Sequence, residues 1–442
     1  MAYRERLLDR QSTTGRPVRV GLVGAGQMGR GFVAQVRKIA GMEVVAVADV
    51  DLQRATGALK SAGIENVITG DDHDQLSNVV AEGGTVAVND AALLTALPVD
   101  MVIDATGVPE IGAQIALRSL LAGKHVGLLN VETDITVGWL LSRIAAQSGA
   151  VYTLCRGDEP AEALKLVEFA RDLAFDVVCA GKGKNNPMRP HDTPTSLTDE
   201  ANSKRMNPKM LCSFVDGSKA MIEMAALANA ADLGVSKRGM SGHQTTVPEL
   251  HDVFKPAADG GILDRSGVVD FATGPVAPGV FVVARSDDHT VIEEMDYLGM
   301  GAGPYYSFYR PYHLASIEAP LSIPPAVLDG ISDIHPRAWR AEVAAGTKRA
   351  VKAGETIDGI GGEYVYGMID SAETAREENL VPLGLLAGAR LTRDVDVDQI
   401  LTYDDVEIDS STTIAQLRAL QDRLIATEPA SAVGPIPGVP KT

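Results

Sequence analysis

Asp216, Lys219 and Glu223 open an Ala/Met-rich stretch of this 442-residue chain. Lys219 and Glu223 stand four apart and so share one helix face, with Asp216 a turn before Lys219. Acid, lysine and acid at the start of an otherwise apolar helix suit proton transfer to a hydroxyl or carbonyl. A capping Asp beside one surface ion pair explains the same residues equally well. The flanking Met221, Ile222, Met224 and Ala225 favour the catalytic reading, because they predict a buried helix and buried charges are rarely idle. Upstream, Gly181-Lys182-Gly183-Lys184-Asn185-Asn186 reads as a basic, glycine-rich loop after a strand. The chain carries a formal net charge of −18, so such a loop is a candidate pocket for phosphate or carboxylate. Arg156-Gly157-Asp158-Glu159 ends a neighbouring strand candidate and is expected to face the same cleft. The aromatic run from Tyr305 adds Arg310 and His313 as substrate contacts; a core histidine with satisfied partners is the alternative for His313. No metal motif of strong spacing is present, although Asp158, Glu159 and Glu223 could converge on a divalent cation.

A second set points to a cofactor. Gly24-Ala25-Gly26-Gln27-Met28-Gly29 follows a strand candidate and runs into a helix, the context a dinucleotide turn requires. Gly24 allows the tight turn, Gly26 lets a pyrophosphate approach the backbone, and Gly29 lets helix and strand pack. The N–H groups at the helix start then hold the phosphates. Asp49, 25 residues after Gly24 at the end of the next strand, suits the adenosine ribose; Arg54 suits a 2′-phosphate. The two point opposite ways on NAD and NADP, and a helix-capping Asp49 with a solvated Arg54 is the alternative. Thr106 and Gly107 close one further strand, and Asn130 and Glu132 another, at the edge where a nicotinamide would reach. A helix-start acid is the alternative for Glu132.

These residues need a frame. Short apolar runs at 18–23, 44–48, 101–104, 125–129 and 151–154 alternate with helix-length stretches at 28–40, 110–122 and 137–147, with Gly123 and Gly149 at C-cap positions. That pattern predicts an α/β fold with an N-terminal Rossmann doubly wound parallel sheet over 18–150, behind a polar lead-in at 1–17. An α+β substrate-binding, catalytic and dimerisation domain is expected over 151–335, with a helix at 160–173, a strand at 175–180 and a helix at 218–233. Residues 239–330, rich in Gly, Pro and Tyr, are expected to form loops around a substrate. A small β-rich domain over 336–426, closing on a helix at 411–425, and a disordered tail at 427–442 complete the expectation. Cys155, Cys179 and Cys212 form no C-x-x-C pair, which fits a reducing compartment. No apolar leader and no run of about 18 apolar residues appears, so a cytoplasmic protein without membrane span is expected. The negative charge argues against nucleic-acid partners.

The Rossmann half resembles homoserine dehydrogenases and related small-substrate dehydrogenases. A closer resemblance is to deoxyxylulose-phosphate-reductoisomerase-like proteins. It is carried by Asn130-Val131-Glu132-Thr133-Asp134, Gly157-Asp158-Glu159-Pro160, Gly181 through Asn185, Phe214 through Lys219, and Gly303 through Leu314. The C-terminal part resembles an SAF domain, a small β-clip fold, through Lys348-Arg349, Lys352-Ala353-Gly354-Glu355, Leu383-Gly384 and Tyr403-Asp404-Asp405-Val406. The resemblance implies NADPH-dependent rearrangement and reduction of 1-deoxy-D-xylulose 5-phosphate to 2-C-methyl-D-erythritol 4-phosphate, a step of isoprenoid biosynthesis. It implies that Lys182, Lys184 and Asn185 hold the phosphate or polar backbone of the substrate, and that Asp216, Lys219 and Glu223 handle protons or an ion. A homo-oligomer, dimer or tetramer, is expected by analogy. Homoserine dehydrogenases place a lysine after the strand-ending asparagine; here Val131 follows Asn130, which argues against simple homoserine oxidation. Two alternatives stay open: a dehydrogenase or oxidoisomerase of a branched or linear sugar acid working with NAD, and a non-catalytic dinucleotide sensor.

Overall fold

A computed structural model describes residues 2–427, so the expected tail lies outside the described residues except for Thr427, which ends a helix. The described chain divides into two compact units: residues 2–158, Leu314–His335 and residues 416–427 form one, and Glu159–His313 with Pro336–Ala415 the other.

The first unit is built on seven parallel strands: β1 (Val18–Val23), β2 (Met42–Ala48), β3 (Val67–Thr69), β4 (Thr85–Val88), β5 (Met101–Asp104), β6 (His125–Leu128) and β7 (Tyr152–Leu154). Their order is β3-β4-β2-β1-β5-β6-β7. The near-continuous Val, Leu and Ala runs of β1 and β2 suit strands covered on both faces, and both are almost wholly buried. The chain winds outward from β1 to β2 and returns to β5 on the other side, which makes the β1/β5 boundary a topological switch point. Register places Val23 beside both Ala48 and Asp104, so the glycine turn, Asp49 and Ala105 start from one edge.

Two strands and one helix escape the hydrophobic pattern. β3 has three residues with Ile68 and Thr69 exposed, and β4 has four, so neither makes a clear apolar run. The polar lead-in is largely the helix Tyr3–Thr14. Its one buried residue is Leu7, and it is held by ties to a residue far along the chain: the Tyr3 hydroxyl donates to Asp329 at 2.9 Å and Arg6 pairs with the same carboxylate.

The second unit holds a mixed sheet of β8 (Asp176–Gly183), β9 (Gly234–Val235), β10 (His243–Gln244), β11 (Val268–Thr273), β12 (Val280–Arg285) and β13 (Tyr305–Arg310). Its order is β10-β11-β8-β12-β13, with β9 beside β11; β8 runs parallel to β11 and antiparallel to β12. The helices Glu159–Asp172 and Ser218–Ala231 pack on each other and on this sheet. The expectation of loops over 239–330 is therefore corrected: β11 and β12 are buried apolar strands within that span, hidden in a composition dominated by Gly, Pro and Tyr. Two antiparallel pairs follow, β14 (Ala341–Thr347) with β15 (Val365–Ser371) and β16 (Arg390–Leu391) with β17 (Val406–Glu407). They belong to the second unit. Asn229 of the Ser218–Ala231 helix accepts the N–H groups of Arg340 and Ala341 at 2.7 and 2.9 Å, and the Ser218 hydroxyl accepts Gly367 N–H at 2.7 Å.

Candidate functional site

Gly181, Lys182 and Gly183 belong to β8, not to a loop. A Cβ on Gly181 would lie 2.1 Å from the Asp270 carbonyl oxygen, and one on Gly183 would lie 2.2 Å from the Ala277 nitrogen, so close backbone approach demands both glycines. Lys182 between them is turned inward. Its ammonium lies 2.5 Å from Glu159 Oε1, at the head of the Glu159–Asp172 helix, and also pairs with Glu223 Oε2 on the Ser218–Ala231 helix. All three are buried. Lys182, expected to hold an anionic substrate, is thus the cation at the centre of a carboxylate pair. Glu159 and Glu223 both face Lys182.

Burial first, and then the neighbouring Glu159, raise the Glu223 pKa; Lys182 opposes them. Burial alone would lower Lys182, but Glu159 and Glu223 outweigh it and hold the ammonium above the ordinary lysine range. Glu159 Oε1 also lies 3.3 Å from His313 Nε2, whose side chain is 22% exposed and is the outermost member of the row. Arg310 pairs with the buried Glu162 and stacks over the Tyr312 ring at 4.4 Å. Its guanidinium, expected to contact substrate, is thus held by Glu162 and Tyr312.

Lys184, just past β8, donates to the carbonyls of Asn186 and Phe214 at 2.6 and 2.8 Å. Burial, with help from Lys182, lowers its pKa to about 8. Asn185 is exposed, and Asp158, the last residue of the first unit, is buried.

The expected row of Asp216, Lys219 and Glu223 does not form. Gly217, at φ 93°, turns the chain between Asp216 and the helix, so Asp216 stands outside the helical spacing. Asp216 instead accepts Ser218 N–H at 2.8 Å and pairs with Lys348 at 2.9 Å. Lys348 also donates to the Gly362 carbonyl at 2.7 Å and to Cys212 Sγ at 3.0 Å. Lys219 stays close enough to Glu223 to oppose the rise of its pKa. Glu162 and Lys348 were not foreseen as members of these clusters. Each meets its partner across a long stretch of sequence, and no local spacing marks such a pair.

In the first unit, Gly24 has φ 95°, and a Cβ there would lie 2.8 Å from Ala105 C and O. A Cβ on Gly29 would lie 2.0 Å from the Gly24 oxygen. Gly26 is exposed, and nothing lies within 4 Å of its would-be Cβ, so the space over the turn is open where a pyrophosphate would rest. Gly26 caps the helix Gln27–Val36 without a side-chain hydrogen bond, which leaves the first N–H groups to an anion. Ala25 is buried, while Gln27 is exposed and Met28 half-buried along the same turn. Asp49 accepts Ala25 N–H on Oδ2 at 2.8 Å and Asp51 N–H on Oδ1 at 2.9 Å. Arg54 pairs with Asp51 at 3.4 Å. These residues fit a dinucleotide.

Asn130 and Thr106 are tied to each other and to their own loop. The fully buried Asn130 donates from Nδ2 to Asp104 at 2.8 Å, Thr106 Oγ1 at 3.3 Å and the Val108 carbonyl at 3.0 Å. Its Oδ1 accepts Thr133 N–H at 3.2 Å and caps the helix Val131–Ser148. Burial lifts the Asp104 pKa to about 6 against these donors. Gly107 is exposed, and Glu132 is 8% exposed on the first turn of that helix. No helix of the described residues is long and apolar enough to cross a membrane.

Residues 157–319 match the family model described as the catalytic domain of oxidoreductase DRL. No curated protein matches the chain. Among solved structures, a myo-inositol dehydrogenase from Corynebacterium glutamicum is 12% identical over 71% of this chain and 89% of its own, at a TM-score of 0.41. A scyllo-inositol dehydrogenase from Lactobacillus casei, solved with NAD(H) and scyllo-inositol, is 15% identical over 61% and 74%, at 0.36. A myo-inositol dehydrogenase from the same organism, with NAD(H) and myo-inositol, is 14% identical over 67% and 75%, at 0.37. Similarity this distant leaves the substrate to be argued from the chain's own residues. The matched segment contains Glu159, Lys182, Glu223 and His313, and with the glycine turn it marks the chain as an NAD(P)-dependent oxidoreductase.

Proposed function

We propose that this oxidoreductase interconverts a CH–OH group and a carbonyl on a small, sugar-like polyol, using NAD(H). The observation that carries the reading is the buried Glu159–Lys182–Glu223 row with His313 at its outer end, inside the segment that matches an oxidoreductase catalytic domain. Oxidising an alcohol removes a hydride and a proton. When bound, the nicotinamide supplies or accepts the hydride. The proton is left to the chain: His313 takes it or gives it, and Glu159 and Lys182 hold the compensating charge. Lys184, poised near pH 8, steadies an oxyanion or a phosphate.

The end of β2 favours NAD(H) over the NADPH that the resemblance implied. Both Asp49 oxygens are fixed by backbone N–H groups, and Arg54 is drawn to Asp51. A 2′-phosphate would meet two carboxylates there. We read the β14–β17 segment as an SAF-like module within the second unit, a reading supported by its two short antiparallel pairs. The test is a panel of inositols, C4–C5 sugar acids and 1-deoxy-D-xylulose 5-phosphate, each with NAD+ or NADP+ (NADH or NADPH for the ketose), followed by absorbance. Turnover of one member, faster with NAD(H), is expected. Turnover with the ketose phosphate alone restores the reductoisomerase reading, and no turnover with any member sinks the polyol reading.

A further inference from the structure

The last helix, Thr413–Thr427, carries a glutamine that the proposed chemistry does not use. Gln421 is fully buried. Its Oε1 accepts the Leu140 N–H at 3.0 Å, and its Nε2 donates to the Thr136 carbonyl at 3.1 Å. Thr136 and Leu140 are four apart in the helix Val131–Ser148, so in an undisturbed α-helix these two groups would bond each other. The side-chain amide therefore bonds both members of one rung of that helix. Arg418 Nη1, one turn earlier, lies 3.4 Å from the same carbonyl.

The N-terminus of the clamped helix is capped by Asn130, whose amide ties Asp104, Thr106 and Val108 together. Ala105, inside that tied loop, is the backbone against which Gly24 closes. A continuous chain of packed and bonded groups in the first unit therefore runs from Gln421 to the glycine turn. We propose that Gln421 is a positioning residue for the dinucleotide site, acting through the Val131–Ser148 helix and Asn130; this rests on the dinucleotide reading above. Without the amide, the Val131–Ser148 helix loses the two bonds that hold it to the C-terminal helix, and the Asn130 cap is no longer fixed from that side.

The test compares full-length wild type, Gln421→Leu and Leu417→Ala. NADH affinity is read by fluorescence, well below each Tm, and hydrogen exchange by mass spectrometry reads the segments around Thr133 and Leu140. Gln421→Leu is expected to weaken NADH by about threefold to thirtyfold and to speed exchange at the first turn of the helix. Leu417→Ala, which trims buried packing in the same C-terminal helix, is expected to lower Tm and leave the affinity unchanged. Wild-type affinity in Gln421→Leu overturns the proposal whatever its Tm. Should that variant fail to fold, Gln421→Asn, too short to span the rung, is read in the same way. Wild type that binds neither NADH nor NADPH brings down the dinucleotide reading, and this inference falls with it.

Discussion

At the scale of single residues, the chemistry rests on where a few charges are buried. Lys182, Glu159 and Glu223 would each be costly to bury alone; together each finds a partner of opposite charge. Lys184 is the contrasting case, a buried lysine that donates to two backbone carbonyls. Its folded pKa, about 8, lies below the ordinary 10.5. The unfolded chain therefore binds more protons than the folded one between those values, so stability rises with pH across that window. Below it the lysine is charged in both states, and the cost of burying that charge is fully present. Lys124 is lowered by burial into the same window, so the comparison must be with Lys184→Met rather than with wild type alone. Denaturant titrations from pH 7 to 10 are expected to show wild type gaining on Lys184→Met by about 1–3 kcal/mol as pH rises. A gap that does not change with pH would show that Lys184 is charged in the folded protein throughout.

At the scale of elements, the glycine turn separates fold from function. Gly29 is demanded by packing, since its Cβ would strike the Gly24 oxygen, whereas Gly26 faces open space. Gly29→Ala is therefore expected to lower both Tm and NADH affinity. Gly26→Ala is expected to keep its Tm while NADH affinity falls at least tenfold, because only the pyrophosphate meets the new methyl group. Calorimetry with NADH titration checks the pair; an unchanged affinity in Gly26→Ala would remove the pyrophosphate from that turn. The turn, the parallel strands β1, β2, β5, β6 and β7, and the helices beside them were legible because apolar runs and glycine spacing are local signals. Asp49 at the end of β2 was legible for the same reason. What could not be read was partnership at a distance. Lys182 was visible as a basic residue, but its neutralisation by Glu159 and Glu223 comes from three elements meeting in space. Asp216 looked like the first member of the Lys219–Glu223 row until Gly217 turned it toward Lys348.

At the scale of the molecule, the chain returns to its first unit twice, at Leu314–His335 and from Gln416. A linear domain map cannot express that return, although the chain does pass between units at the expected 335/336 boundary. The three cysteines are buried, each with its thiol pKa raised chiefly by burial. They are expected to stay unlabelled by a thiol reagent in the native protein and to react only along the denaturation curve. Fast labelling of a native thiol would place an opening below global unfolding. The large negative charge leaves the binding of an anionic substrate to a few local cations, which puts the weight of the functional claim on the centre of the second unit. The most direct measurement is the turnover of Glu223→Gln on the best substrate of the panel, with NADH affinity measured alongside. A fall of about a hundredfold to ten-thousandfold in kcat with unchanged NADH affinity is predicted, because the substitution removes one of the two carboxyl groups paired with Lys182 and leaves the glycine turn untouched. Turnover within twofold of wild type would contradict the assignment of the Glu159–Lys182–Glu223 row to catalysis.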